Sequence, residues 1–362
     1  MRRIVVCVLA CLCSLSLFGC GLWMDGDYVS VEPHAQQYVH MATADLEASS
    51  YEQLVGALKK LAAEGLDTGI VFLVDMTPEV AKSYMETAVR DVLDTDPICV
   101  YAVEDIQYDV GQNSGRDAIA VNITYTKSRS DLLRIHYVET VDGAKQIIHE
   151  NLKEHNGSVT IRVDSYQDTD FASVVHKCAE SSPEYVMEQP SVMVAVYPEN
   201  GDSRIVELVF TYQTDHATLT HMQEIVYPVF FSAQLYVQGD SQPAEKYSRL
   251  YAFLMERSAY KQEASVTPTY SLLQDGIGDS RAFSCVYARM CNMAGLECYV
   301  IHGTKNGTPW TWNMVKAGEN YAYVDLLRCR ENRLFRLRTE SEMYEYEWDK
   351  EAVFADIAQQ EN

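Results

Sequence analysis

Apolar residues recur at Tyr51, Leu54, Leu58 and Leu61 through YEQLVGALKKLAAE (51–64), a spacing that predicts an amphipathic helix. TGIVFLVD (68–75) is instead a continuous apolar run of strand length and predicts a buried strand. Thr77-Pro78-Glu79 combines a capping hydroxyl, a proline at the first helical position and an acidic first turn. Val80, Tyr84, Ala88 and Val92 mark the face of that second helix expected to be buried. ICVYAVEDI (98–106) and DAIAVNITYT (117–126) read as two further strands, with Gly111 and Gly115 between them.

The order helix–strand–helix–strand–strand returns downstream. Residues 144–153 and 170–181 have helical spacing, SVTIRVD (158–164) is a strand, and SVMVAVYPE (191–199) with SRIVELVFTYQT (203–214) forms a hairpin around Asn-Gly-Asp. ITYTKSRSDL (123–132) and FTYQTDHATL (210–219) align at an offset of 87 residues. Residues 49–135 and 136–225 are therefore expected to be two tandem copies of one small α/β unit.

The first twenty residues follow a different rule. Met1-Arg2-Arg3 is a short basic start and Ile4 to Phe18 an apolar run, shorter than a comfortable membrane span, which reads as a secretion signal over 1–19. Its ending, Leu17-Phe18-Gly19-Cys20, resembles the bacterial lipobox, which implies that Cys20 carries lipid and anchors the chain to the extracytoplasmic face of a membrane. A plain signal peptide with an incidental cysteine is the alternative. Residues 20–48 are polar and mixed, as a tether would be.

The net charge of −23, without any Lys/Arg run interleaved with aromatics, excludes nucleic acid as a partner, because phosphate binding needs cationic surface. Beyond the signal and Cys20 the cysteines are Cys99, Cys178, Cys285, Cys291, Cys298 and Cys329, whose pairing the sequence leaves open. Cys99 and Cys298 sit in apolar, strand-like runs that suit small buried hydrophobes. No close His/Cys cluster suggests a metal, and no cofactor motif is present. His136, His149, His155, His176, His216 and His221 are scattered at no ligand spacing and are expected to be solvated or locally bonded. A catalytic constellation is not visible before residue 240.

The text changes in the last third. PAEKYSRLYAFLMERSAYK (243–261) reads as a helix, and GDSRAFSCVYARMCNMAGLE (278–297) as a turn entering an amphipathic helix. Ala294-Gly295-Leu296-Glu297-Cys298, Trp312-Asn313, Tyr323-Val324-Asp325, Ser341-Glu342-Met343 and Trp348-Asp349 follow in order. This succession resembles the bacterial transglutaminase-like domain, a papain-related fold. The resemblance implies a transglutaminase-like α+β domain over 226–362, and with the two α/β repeat units before it the chain is expected to be α+β overall.

In that family a catalytic Cys lies fifteen residues before the glycine of Ala-Gly-Ile/Leu, and counting back from Gly295 reaches Ser280. The family His, two positions before Trp-Asn, is replaced by Trp310; the Asp is matched by Asp325. The resemblance thus implies a Ser280–Trp310–Asp325 set in place of Cys–His–Asp. A serine hydroxyl needs a general base within reach, and indole only donates. Ser280 therefore reads either as a helix-start or capping residue or as a nucleophile served by a displaced base. Two such rescues are conceivable: His302 at the end of the following strand, and the thiol of Cys285, whose five-residue offset turns it roughly 140° from Ser280. Trp310 and Trp312, two apart on a strand, share a face; either Trp310 plugs the vacated cleft or the pair forms an aromatic shelf for a ligand. The expectation is a surface-anchored lipoprotein whose C-terminal domain is inactive and binds a protein, peptide or glycan, with an active hydrolase or amide transferase as the alternative.

Overall fold

The computed structural model describes residues 43–239 and 242–360. The signal, Cys20 and the tether up to residue 42 lie outside the described residues.

The first sheet orders its strands β1-β2-β4-β3: β1 (Thr43–Ala48) parallel to β2 (Thr68–Leu73), then β4 (Arg116–Tyr125) and β3 (Val103–Asn113) antiparallel. Helix α1 (Tyr51–Ala63) starts where the Ser50 hydroxyl accepts the Gln53 N–H, and it buries Leu54, Leu58 and Leu61. Helix α2 (Pro78–Thr95) starts at the Thr77 cap. Its buried face is Ala81, Met85, Ala88 and Val92, whereas Val80 and Tyr84 face outward. Tyr84, at the rim of that face, meets the Tyr51 ring edge-on at 5.7 Å.

Residues 98–102 are not the start of a strand. Asp96 accepts the N–H groups of Ile98 and Cys99 at 3.1 and 3.2 Å, Pro97 occupies the first turn, and helix α3 (Pro97–Ala102) forms before β3 begins at Val103. The cap and proline override the β-rich composition. Cys99 is buried in this helix rather than in a strand.

The second sheet has the order β5-β6-β8-β7, with β5 (His136–Thr140) parallel to β6 (Ser158–Ser165), and β8 (Arg204–Thr211) and β7 (Ser191–Tyr197) antiparallel. Helices α4 (Val141–Lys153) and α5 (Phe171–Ser181) close a core of Ile148, Leu152, Val175, Val206 and Leu208. Strand order and directions match those of the first sheet. Strands β1 and β5 carry no apolar run, and only parallel pairing identifies them; residues 43–48 therefore belong to the first sheet and not to a tether.

Helix α6 (His216–Tyr236) crosses the expected boundary at 225/226. Leu219, Val226, Phe230 and Ala233 pack with Tyr247, Leu250, Phe283 and Tyr287, so the C-terminal core begins inside the segment assigned to the second unit. Helix α7 (Pro243–Met255) ends earlier than expected, because Ala259–Tyr260 pairs with Ile277–Gly278. Helix α8 (Ser280–Met293) then lies across the third sheet, β11-β10-β9-β12, built from β9 (Cys298–Lys305), β10 (Thr308–Ala317), β11 (Asn320–Val324) and β12 (Tyr346–Glu347). Short helix α9 (Leu326–Glu331) follows β11, and helix α10 (Lys350–Gln360) closes the described chain. Among the described residues no helix is long and apolar enough to cross a membrane, no group of His, Cys, Asp and Glu could hold a metal, and the six cysteines are free thiols.

His155 departs from the expected solvated histidine. It follows α4 in the left-handed region (φ 52°), a geometry that turns its ring inward, where it is 3% exposed. Among the described residues neither ring nitrogen meets a well-formed hydrogen-bond partner, the Tyr185 backbone only partly offsetting burial, and the ring stands edge-on to Tyr212 at 6.0 Å. Burial, helped by the neighbouring His216, pushes its pKa down to about 4. The unfolded chain protonates this histidine near its ordinary pKa while the folded chain does not, so stability is full near neutrality and is lost as pH falls from about 6.5 toward 4, by about 3 kcal/mol from this group. His155→Asn, which tolerates the left-handed backbone, is expected to flatten that part of a melting-temperature profile; an unchanged profile would exclude His155 as its cause.

Candidate active site and its occupied carboxylate

Ser280 is the first residue of α8, not its cap. Asp279 fills that role, its Oδ1 accepting the Ala282 N–H at 2.8 Å. The Ser280 hydroxyl accepts one hydrogen bond, from the Thr311 N–H on β10 at 3.3 Å. The 310–311 peptide therefore lies against Ser280, and Trp310 is its immediate neighbour.

Asp325 sits where β11 turns into α9, and it is 1% exposed. Oδ1 caps α9 by accepting the N–H groups of Leu327 and Arg328 at 3.0 and 3.1 Å. Oδ2 accepts from Trp310 Nε1 at 3.0 Å, from the Tyr346 hydroxyl at 2.7 Å and from Lys305 Nζ at 3.2 Å. This carboxylate is saturated with donors. Burial and the Asp325 charge push the Tyr346 hydroxyl up, so it remains a proton donor. Lys305 also lies over the Trp310 and Tyr346 rings, at 5.0 and 5.5 Å.

Trp310 thus bonds Asp325 directly, while Ser280 is tied to the same strand through the Thr311 N–H. The Trp310 N–H does for Asp325 what an imidazole N–H would do, but indole has no second nitrogen to take a proton from Ser280. Lys305 and Tyr346 carry no local signal in the sequence. They come together through strand pairing, Lys305 opposite Tyr346 in the β9–β12 register.

The rescues fare differently. His302 is exposed on β9 opposite Thr311; its Nε2 lies 3.0 Å from Glu180 Oε2, and its Nδ1 3.4 Å from Thr311 Oγ1. Both nitrogens therefore have partners, and neither partner is Ser280 or Asp325. Glu180, from α5 of the second unit, also binds Arg281 at 2.7 Å. Burial works against its charge, yet the bond to His302 and the Arg281 guanidinium hold the carboxyl below its ordinary range. Cys285 is buried; burial, with Glu180 nearby, pushes its thiol well up, the opposite of an activated nucleophile.

Trp312 is fully buried against Tyr346 and Trp348, at ring separations of 5.0 and 5.4 Å, so it cannot line a groove. Trp310 is half-buried and leans on Tyr260 at 5.6 Å. The cleft beside the start of α8, about 270 Å³, is lined by neither tryptophan; its walls include Glu180, Met187, Gln213, Val266, Arg281 and Cys285. It lies at the junction of the second α/β unit and the C-terminal domain.

Residues 232–330 match the family model of the transglutaminase-like superfamily, so the C-terminal part of this chain holds a domain of that class. Among solved structures, a protein described as a TGase is similar at 13% identity and a TM-score of 0.26, over 47% of this chain and 50% of its own. A candidate protease from Parabacteroides distasonis is similar at 8% identity and 0.24, over 71% and 39%, and a candidate cysteine protease from Cytophaga hutchinsonii at 11% and 0.24, over 38% and 62%. The chain thus spans about half the length of the TGase. No curated protein matches it.

Proposed function

We propose that the transglutaminase-like domain is catalytically inert and works as a binding or scaffolding module of a lipoprotein held by Cys20 at the outer face of a membrane. The observation that carries the reading is the hydrogen bond from Trp310 to Asp325, which occupies the orienting carboxylate with a side chain that cannot act as a base. Ser280 accepts one bond from the Thr311 N–H, and among the described residues no base is bonded to its hydroxyl. The junction cleft, with Glu180 and Arg281 in its wall, offers mixed polar and apolar surface for a protein, peptide or glycan.

Probes of nucleophile reactivity test this directly. The native protein, incubated with a fluorophosphonate and separately with iodoacetamide, is expected to show no labelling of Ser280 or Cys285 by mass spectrometry, and Cys285 is expected to label once the chain is unfolded in urea. Rapid native labelling of either residue would contradict the reading.

A further inference from the structure

Among the described residues strand β7, SVMVAVY, is an edge: β8 is its only paired strand. The Phe210 N–H donates to the Gly157 carbonyl at 2.8 Å, on the β6 side of β8. Backbone groups alternate in direction along an antiparallel ladder, so Phe210, Leu208 and Val206 face β6 while Val209, Glu207 and Ile205 face β7. The register Met193↔Val209, Ala195↔Glu207 and Tyr197↔Ile205 then commits those β7 residues to β8. The N–H and C=O groups of Val192, Val194 and Val196 point outward, and no hydrogen bond from another described residue reaches them. Met193 and Val194 are 66% and 36% exposed.

Edges of this kind are ordinarily blunted by charge, bulge or cover. The corresponding edge of the first sheet, β3, carries Glu104, Asp105 and Asp109 and a register shift between Val103 and Asp105. The opposite edges bear Asp45 and Glu47 on β1 and Glu139 on β5. Strand β11 has no charge either, but its Tyr323 bridges Arg338. Among the described residues strand β7 carries no charge and no bulge and pairs in an unbroken register, with Tyr101 of α3 leaning on its Tyr197 at 5.5 Å. Pro190 and Pro198 bracket it, so the template ends sharply at both ends.

We propose that β7 is a docking edge that accepts an extended segment of a partner protein as an added antiparallel strand. Backbone bonds to Val192, Val194 and Val196 would give the affinity, and alternate β-branched side chains would fit the pleated surface. The turn just past β7 presents exposed Glu199 and Asp202, which favours a basic residue at the N-terminal end of the incoming strand. The same charges, with a net charge of −23 on each chain, argue against a second copy as the occupant.

The test uses the full chain and the peptide acetyl-Lys-Arg-Val-Thr-Val-Thr-Val-Thr-amide, followed by amide hydrogen exchange. Saturating peptide is expected to slow exchange at Val192, Val194 and Val196 at least about 10-fold, leaving Met193, Ala195 and Tyr197 unchanged. Val194→Pro removes an outward N–H and no bond to β8, so it should fold normally and weaken binding at least about 10-fold. The proposal fails if millimolar peptide slows none of the three amides, or if V194P binds as well as the unmodified chain. It also fails if sedimentation shows a dimer of the unmodified chain that V194P dissociates, which would make a second copy the occupant.

Discussion

Replacing Asp325 with alanine is expected to destabilise the C-terminal domain by about 3–5 kcal/mol, the range for removing one partner of a buried charged pair. The carboxylate holds together Trp310 from β10, Lys305 from β9, Tyr346 from β12 and the start of α9. Without it the Lys305 ammonium, 17% exposed, loses its counter-ion, and the indole and phenol donors lose their acceptor in a space too enclosed to supply several waters. Asp325→Asn should cost less, because the amide oxygen still accepts some of these bonds. Urea unfolding followed by tryptophan fluorescence checks this; a loss below about 1 kcal/mol for D325A would mean that the cluster contributes little. Such a result would recast Asp325 as a residue kept for something other than holding the domain.

The second large effect is a gain. Ser280→Cys together with Trp310→His would place a thiol at the start of α8 and an imidazole beside it, with Asp325 already positioned to orient that imidazole. A positioned base contributes about 10²–10⁴-fold, so the double variant is expected to hydrolyse an activated ester or release ammonia from glutamine amides at about that factor above either single variant. The single changes should do little, since a nucleophile and its base act as one unit. The half-buried setting of Trp310 against Tyr260 and Lys305 means that its replacement opens space as well as adding a base. Equal rates in the double and single variants would show that the site geometry does not reach an imidazole at residue 310.

How far the molecule could be read from its sequence depended on where the determining interaction lay. Helices with local start signals, Ser50 before α1 and Thr77-Pro78 before α2, were legible because the cap and the apolar spacing act within one or two turns. The transglutaminase-like domain was legible through short motifs such as Ala294-Gly295-Leu296 and Trp312-Asn313, which lie within the matched residues 232–330. Strands β1 and β5 were not, since TADLEA and HYVET become strands only through parallel pairing with β2 and β6. The helix over 97–102 was obscured by β-branched and aromatic content that Asp96 and Pro97 overrule. Lys305, Tyr346 and Glu180 were invisible as site neighbours for the same reason as β1: partners 20, 21 and 122 residues distant reach them through tertiary contact alone. The resemblance implies a core Trp312, with the aromatic shelf as the alternative, and the packing of Tyr346 and Trp348 around it decides for core.

The inert reading of the Ser280–Trp310–Asp325 set meets its most direct test in the unmodified protein. Ammonia release from a glutamine-containing peptide, with and without a primary amine, and hydrolysis of the same peptide should be followed for the unmodified chain and for Ser280→Ala. No turnover above the uncatalysed background is expected in either, with indistinguishable traces. Turnover in the unmodified chain that disappears in Ser280→Ala would contradict it and would make His302, released from Glu180, the base to examine.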